Sequence, residues 1–221
     1  MLHRNERRGG ATGIGDRMRL IADRLSGERG GEAVFDRVSF ALGEGDSLVV
    51  TGENGSGKST LLRVIAGLLP PASGFVRLDD GGEDWPDMAS ACHYLGHQNA
   101  MKPALTVDEN LAFRRDFLGH PLMPLADALD AVGLGSVGAL PFGYLSTGQR
   151  RRIALAGLLV SHRPVWLLDE PSAGLDLASE RRLTSLMQDH LGRGGILVAA
   201  THLPLGLDSA RSLVMTGGAS N

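Results

Sequence analysis

One nine-residue run constrains this chain more than anything else in it: Gly52-Glu53-Asn54-Gly55-Ser56-Gly57-Lys58-Ser59-Thr60. Before it, residues 46–51 are β-compatible. After it, Leu61, Leu62, Ile65, Leu68 and Leu69 recur at helical spacing until Pro70-Pro71. A strand that enters a G-x-x-x-x-G-K-[ST] run and leaves it as a helix reads as a phosphate-binding loop. Its glycines let backbone N–H groups wrap a β-phosphate, and the helix N-terminus adds a favourable dipole. Lys58 then neutralises β and γ oxygens, while the Ser59 hydroxyl is a ligand for Mg²⁺. The whole run, Gly52, Glu53, Asn54, Gly55, Ser56, Gly57, Lys58, Ser59 and Thr60, is therefore expected to bind nucleotide, with ATP and Mg²⁺ as the ligands.

A second run, Val165-Trp166-Leu167-Leu168-Asp169-Glu170, is an apolar strand that ends in two carboxylates. In a doubly wound sheet such an end lies beside the phosphate site. Asp169 is expected to hold Mg²⁺ and its water, which leaves Glu170 to polarise the attacking water.

Around these runs, strand-like segments at residues 18–25, 34–42, 75–78, 93–95, 196–201 and 212–216 alternate with helical patterns, one of them between Asp176 and Leu191. Residues 106–161 read as almost wholly helical, broken at Gly119, Pro121, Gly133 and Pro141. The fold class expected is α/β: a P-loop NTPase domain with a mostly parallel core sheet, an antiparallel β portion and a helical subdomain inserted at about 103–160. At 221 residues the chain has room for one such domain, read over 18–221. Residues 1–17 are rich in Arg and Gly without an apolar h-region, which predicts a disordered, solvated extension, or a start placed upstream of Met18, rather than a signal peptide.

Composition narrows the partners. A net charge of -3 offers no general attraction to nucleic acid, and no nucleic-acid partner is expected. No apolar run approaches the ~20 residues of a membrane helix, so action at a membrane requires a partner that spans it. A lone Cys92 allows no internal disulfide and reads as a small buried hydrophobe. Arg150, Arg151 and Arg152 read as a solvated helix face or as partners for acidic residues.

Two further elements go beyond phosphate-loop enzymes in general. Leu145-Ser146-Thr147-Gly148-Gln149 stands just before a helix, and His202 ends a buried strand. With Gln98 and Ala173-Gly174-Leu175-Asp176, the set resembles the ABC ATPases over nearly the whole chain. That resemblance implies a head-to-tail dimer of two copies of this chain, with ATP held between the phosphate loop of one and the signature segment of the other. Ser146, Gly148 and Gln149 would then bind the nucleotide presented by the partner. Ser146, the Gly148 backbone and the helix N-terminus can hydrogen-bond a γ-phosphate. The resemblance further implies that Gln98 senses Mg²⁺ and the attacking water, that His202 contacts the γ-phosphate, and that Asp176 couples the two sites.

There are two departures from the family pattern. Thr147 stands where Gly is common, with the flanking Ser146 and Gly148 intact. Arg29 falls where many of these ATPases carry an aromatic residue against adenine. It either stacks its guanidinium on the base or is a surface arginine in a turn, with Phe35 as the alternative stacking group.

The run Tyr94-Leu95-Gly96-His97-Gln98, the later Leu105-Thr106-Val107-Asp108-Glu109-Asn110-Leu111 and the Gly148-Gln149-Arg150-Arg151-Arg152 after the signature look like the ATP-binding subunits of cytochrome c maturation haem exporters. This implies a multispanning permease partner, a peripheral position on the cytoplasmic face of a bacterial inner membrane, and ATP hydrolysis coupled to haem export or to release of a haem-loaded chaperone. Another ABC exporter or importer with a different cargo, a soluble ABC ATPase acting on nucleic acid and a small-molecule P-loop kinase are the alternatives. Direct haem binding is not expected: His93 and His97 belong to no Cys-x-x-Cys-His run and read as neighbours of the Gln98 loop.

Overall fold

The computed structural model of the chain describes residues 17–216. The extension read over 1–17 therefore lies, apart from Arg17, outside the described residues. Strands β1 (Arg19–Arg29), β2 (Glu32–Gly43) and β4 (Ser73–Asp79) form an antiparallel sheet in the order β2-β1-β4. Strands β3 (Ser47–Gly52), β5 (Cys92–Leu95), β6 (Val165–Asp169), β7 (Ile196–Ala200) and β8 (Arg211–Met215) form a parallel sheet in the order β5-β6-β7-β3-β8. This is the α/β architecture with a parallel core and an antiparallel portion.

β6 and β7 read as unbroken apolar runs because each is covered on both faces. Val165, Leu167, Ile196, Val198 and Ala200 pack with helix α1 (Lys58–Ile65) and the antiparallel sheet. Trp166, Leu168, Leu197 and Ala199 belong to the opposite layer. That layer includes α5 (Thr147–Leu159) and α6 (Leu177–Gly192), with α3 (Val107–Leu118) and α4 (Leu125–Ala131) outside them. The short α2 (Met88–Ala91) leads into β5. Leu61 and Leu62 of α1 are fully buried, and truncating either to Ala would cost about 2–5 kcal/mol.

Three boundaries differ from the sequence reading. α1 does not continue to Leu69. Gly67 adopts φ +72°, its N–H donates to the Val64 carbonyl and that of Leu68 to Arg63, so a left-handed cap closes the helix and leaves Leu68 exposed. β1 runs four residues beyond Leu25, because register shifts between Ala22 and Glu28 keep residues 27–29 paired to β2, and Ser26 to β4, despite their broken alternation. The stretch 106–161 is helical only in pieces. Gly119 (φ +69°) and Gly133 (φ +70°) end α3 and α4 where breaks were expected, but residues 132–146 form no α-helix, only a 3₁₀ turn, Phe142–Tyr144, ahead of α5.

Candidate active site

The carboxyl ends of β3, β6 and β7 lie side by side, and a cavity of about 410 Å³ opens there. Asn54, Gly55, Gly57, Lys58, Ser59 and Thr60 line it from the loop between β3 and α1. Glu170 and His202 line it from the ends of β6 and β7, and Arg29 lines it from the end of β1. Gln98 is exposed and is not part of the lining, whereas its neighbour His97 is.

The loop's shape depends on its glycines. Gly52, Gly55 and Gly57 take φ +142°, +88° and +93°. A Cβ on Gly52 would run into the Met215 carbonyl, and one on Gly57 would stand 2.9 Å from the carbonyl of Val34. Lys58 is buried, and its Nζ donates to the carbonyls of Gly52 (2.8 Å) and Glu53 (2.9 Å). The ammonium is thus fixed over the loop that turns toward the cavity. Ser56 Oγ is buried with no protein partner, which fits a loop built around an anion's oxygens.

Asp169 is almost wholly buried at the end of β6. Its Oδ1 accepts from Ser59 Oγ at 3.0 Å and its Oδ2 from the Tyr94 hydroxyl at 3.5 Å. Burial holds the Tyr94 phenol above its ordinary pKa, against the lowering effect of a 3.3 Å hydrogen bond from Arg63 Nε. The next residue, Glu170, has φ +46°, a left-handed conformation that costs a residue with a side chain ~1–3 kcal/mol. Its N–H donates to the Ala200 carbonyl at 2.8 Å, and its Oε1 stands 3.1 Å from Nδ1 of His202. The strained backbone turns this carboxylate into the cavity rather than along the strand.

Ser146, Gly148 and Gln149 are not brought to the cavity of their own chain. They open α5 instead, where Ser146 Oγ accepts from the Gln149 N–H at 3.2 Å and Gln149 Oε1 from the Ser146 N–H at 2.9 Å. Asp176 similarly caps α6, accepting from the Ser179 N–H at 2.7 Å.

Phe35 is not available to a base. It is buried beneath the loop, where a Cβ on Gly27 or Gly57 would meet its ring, because β2's register turns it inward. The arginine triplet also differs from its reading. Arg150 donates to the Gly143 carbonyl and lies over the Phe142 ring, and Arg152 reaches the carbonyls of Val132 and Gly133. Arg151 is buried against backbone carbonyls. None of the three forms an ion pair among the described residues. A run of charges carries no burial signal; the helical spacing of Arg151 with the buried Leu155 and Leu158 was the available clue.

Beyond the Gln98 segment a second cleft, about 290 Å³, is lined by Ala100, Met101, Phe113 and Phe117 among others. Phe113 and Phe117 are stacked on each other and exposed on α3. Cys92, which also lines the cleft, is half-buried and its thiol is pushed up to about 12 by burial, so it is a neutral thiol.

The family model described as ABC transporter matches residues 35–173. The chain is 69% identical over 193 residues to the cytochrome c biogenesis ATP-binding export protein CcmA of Mesorhizobium japonicum, covering 87% of this chain and 96% of that protein. It is 58% identical to the protein of the same name from Brucella melitensis biotype 1, covering 90% of this chain and 93% of that one. A putative ABC transporter ATP-binding protein from Pyrococcus furiosus has the same fold, with a TM-score of 0.76 at 22% identity over 89% of this chain and 97% of that one. An inward-facing putative metal-chelate type ABC transporter matches with a TM-score of 0.72 at 28% identity, covering 90% of this chain and 80% of that one.

Proposed function

The chain belongs to the ABC transporter family of ATP-binding subunits, and on that basis we propose that it hydrolyses ATP in a dimer that drives a membrane permease in cytochrome c biogenesis. The observation that carries this reading is an incomplete site. Lys58, Ser59, Glu170 and His202 line one cavity, with the buried Asp169 hydrogen-bonded to Ser59 behind it, while Ser146, Gly148 and Gln149 lie outside it on the same chain.

Two copies arranged head to tail complete each other's sites. The first turn of α5, with the Gly148 backbone and the Ser146 hydroxyl, meets the γ-phosphate cradled by the partner's loop. Lys58 offsets charge on the β and γ oxygens. No group of three or more His, Cys, Asp and Glu side chains that could hold a metal ion occurs among the described residues. One hydroxyl and one carboxylate, Ser59 and Asp169, fit Mg²⁺, which takes few protein ligands and completes its shell with phosphate oxygens and water. Bound there, Mg²⁺ neutralises charge developing on the phosphates.

Glu170 accepts the proton of the attacking water, held in line by His202, which also reaches the γ-phosphate. Gln98, exposed on the loop after β5, would reach Mg²⁺ and the attacking water on closure of the dimer. ATP thus bridges two surfaces, and loss of the γ-phosphate releases them.

No helix among the described residues is long and apolar enough to cross a membrane. The permease must supply the span, and this subunit sits peripherally on the cytoplasmic face of the bacterial inner membrane. The exposed Phe113 and Phe117 beside the Gln98 segment support a permease contact there, close enough to sense closure. The relatives are named for cytochrome c biogenesis and export, and with the resemblance of the Tyr94–Gln98 run this supports haem export, or release of a haem-loaded chaperone, without haem touching this subunit.

Affinity purification of the tagged chain from gently solubilised membranes tests the scheme. The expected result is co-purification of a haem-pathway permease with ATPase activity that Glu170→Gln abolishes. A different permease would keep the motor and change the cargo, and a fully active monomer would overturn the dimer.

A further inference from the structure

Arg151 is a buried charge without an ion-pair partner among the described residues. Its guanidinium is buried on α5, about one and a half turns from the Ser146 cap, and meets no carboxylate among the described residues. All of its contacts are backbone carbonyls: Nη1 to Gly96 at 2.7 Å, Nη2 to Asp169 at 2.9 Å and to Glu170 at 2.7 Å, and Nε to Pro171 at 3.3 Å. One planar fork therefore ties the signature helix to the end of β6 and to the start of the Gln98 loop. Charge-assisted bonds of this kind are the strong ones, and a buried guanidinium fixes the peptides it holds.

Two peptide groups of the β6 end matter most. Glu170 keeps φ +46°, which persists only if its surroundings impose it. The Ala200 carbonyl holds the Glu170 N–H, and Arg151 holds the Glu170 carbonyl. The residue is thus gripped on both sides, and its side chain is left one direction, toward His202 and the cavity. The same arginine moves with the helix whose first turn serves the other site of the dimer.

We propose that Arg151 is a positioning residue for hydrolysis: it sets the direction of the Glu170 carboxylate and transmits the position of the signature helix in one ATP site to the water-activating group of the other. The inference rests on the assignment of Glu170 given above. Arg151 does not line the cavity and acts on the reaction through Glu170.

The experiment is steady-state ATP hydrolysis and ATP-analogue binding by the full chain with its permease, comparing wild type, Arg151→Lys and Arg151→Gln. Lys keeps the charge and loses the fork; Gln keeps two donors without a buried charge. A misplaced carboxylate predicts a kcat lower by about 10- to 100-fold, with KM and analogue affinity within about two-fold and the Hill coefficient for ATP falling toward one. In a Glu170→Gln background, Arg151→Lys is expected to change the residual rate no further, since the group it aims is already gone.

A folded Arg151→Lys chain with wild-type rate and cooperativity would overturn the proposal, as would an equal loss in the Glu170→Gln background. Loss of the fold in both Arg151 variants would also overturn it, because the arginine would then be a structural clamp. If Glu170→Gln alone hydrolyses ATP at the wild-type rate, the assignment of Glu170 fails first and the role of Arg151 falls with it.

Discussion

Ser59 Oγ donates a 3.0 Å hydrogen bond to Oδ1 of Asp169, joining the first turn of α1 to the last residue of β6. These oxygens are the hard donors a divalent cation prefers, and the bond between them holds both at its place. Asp169→Asn keeps an acceptor for Ser59 and removes the charge. Its Mg²⁺-dependent hydrolysis should fall by roughly 100-fold or more, the scale of several kcal/mol of lost charge stabilisation. Titration of a fluorescent ATP analogue in excess chelator should give an affinity close to wild type, and a large loss there would assign Asp169 to folding of the loop.

His202 is largely exposed, with 62% of its side-chain surface accessible, and its described contact is with Glu170. His202→Ala should leave thermal unfolding unchanged within about 0.5 kcal/mol, as for other surface substitutions. The turnover number should drop by about 100-fold, in the range ascribed to a positioned acid or base. Equal losses in melting temperature and turnover would point instead to a structural pair.

Arg29 gives the cavity a guanidinium where a ring would stack more strongly. An exposed cation–π contact is worth about 0.5–1 kcal/mol, so Arg29→Ala should weaken ATP binding by only about two- to five-fold. Arg29→Tyr should restore or exceed wild-type affinity, because its ring stacks on either purine. Calorimetry with ATP and GTP checks both, and an unchanged affinity in both variants would mark Arg29 as a bystander at the cavity mouth.

His93 illustrates a pH dependence that has nothing to do with catalysis. Its Nε2 donates to the Ser161 carbonyl at 2.8 Å and its Nδ1 accepts from Arg114 Nη2 at 3.1 Å, an arrangement that only the neutral ring satisfies. Burial first, and then the charge of Arg114, lower its pKa to about 3. Burial likewise lowers that of His190, stacked on Trp166, to about 4. The unfolded chain takes up these protons near the ordinary 6.5 and the folded chain does not. Their stabilisation is complete above that value and is lost as pH falls toward 4 for His190 and 3 for His93, by up to about 1.4 kcal/mol per histidine per pH unit. Urea midpoints at pH 7.5 and 5 should differ markedly in wild type and less in His93→Gln; an equal difference would remove His93 from the account.

What could be read from sequence was chemistry carried by neighbouring residues. The phosphate loop and the Asp169-Glu170 pair are contiguous, and their flanks declare strand or helix by apolar spacing alone. What could not be read depends on contacts between distant segments. Phe35 offered an alternative ring for stacking on adenine, yet the pairing of β1 with β2 turns it under Gly27. Arg151 looked like one charge among three, yet the packing of α5 against β6 buries it. Gln98 and His97 differ by one position, and the bend after β5 decides which of them faces the cavity. At the end of α1 a local rule outweighed another: the left-handed turn at Gly67 stopped a helix that apolar periodicity would have continued.

The contact between Gly52 and Met215 has a consequence for how the protein is made. β8 pairs with β3 at these two residues, and the Met215 carbonyl lies where a side chain on Gly52 would be. The first bend of the phosphate loop therefore rests on a strand that leaves the ribosome long after the loop itself. A nascent chain halted before β8 has all the residues proposed to contact nucleotide and no floor beneath the first of them, so competence to hold nucleotide is expected only once β8 has paired with β3.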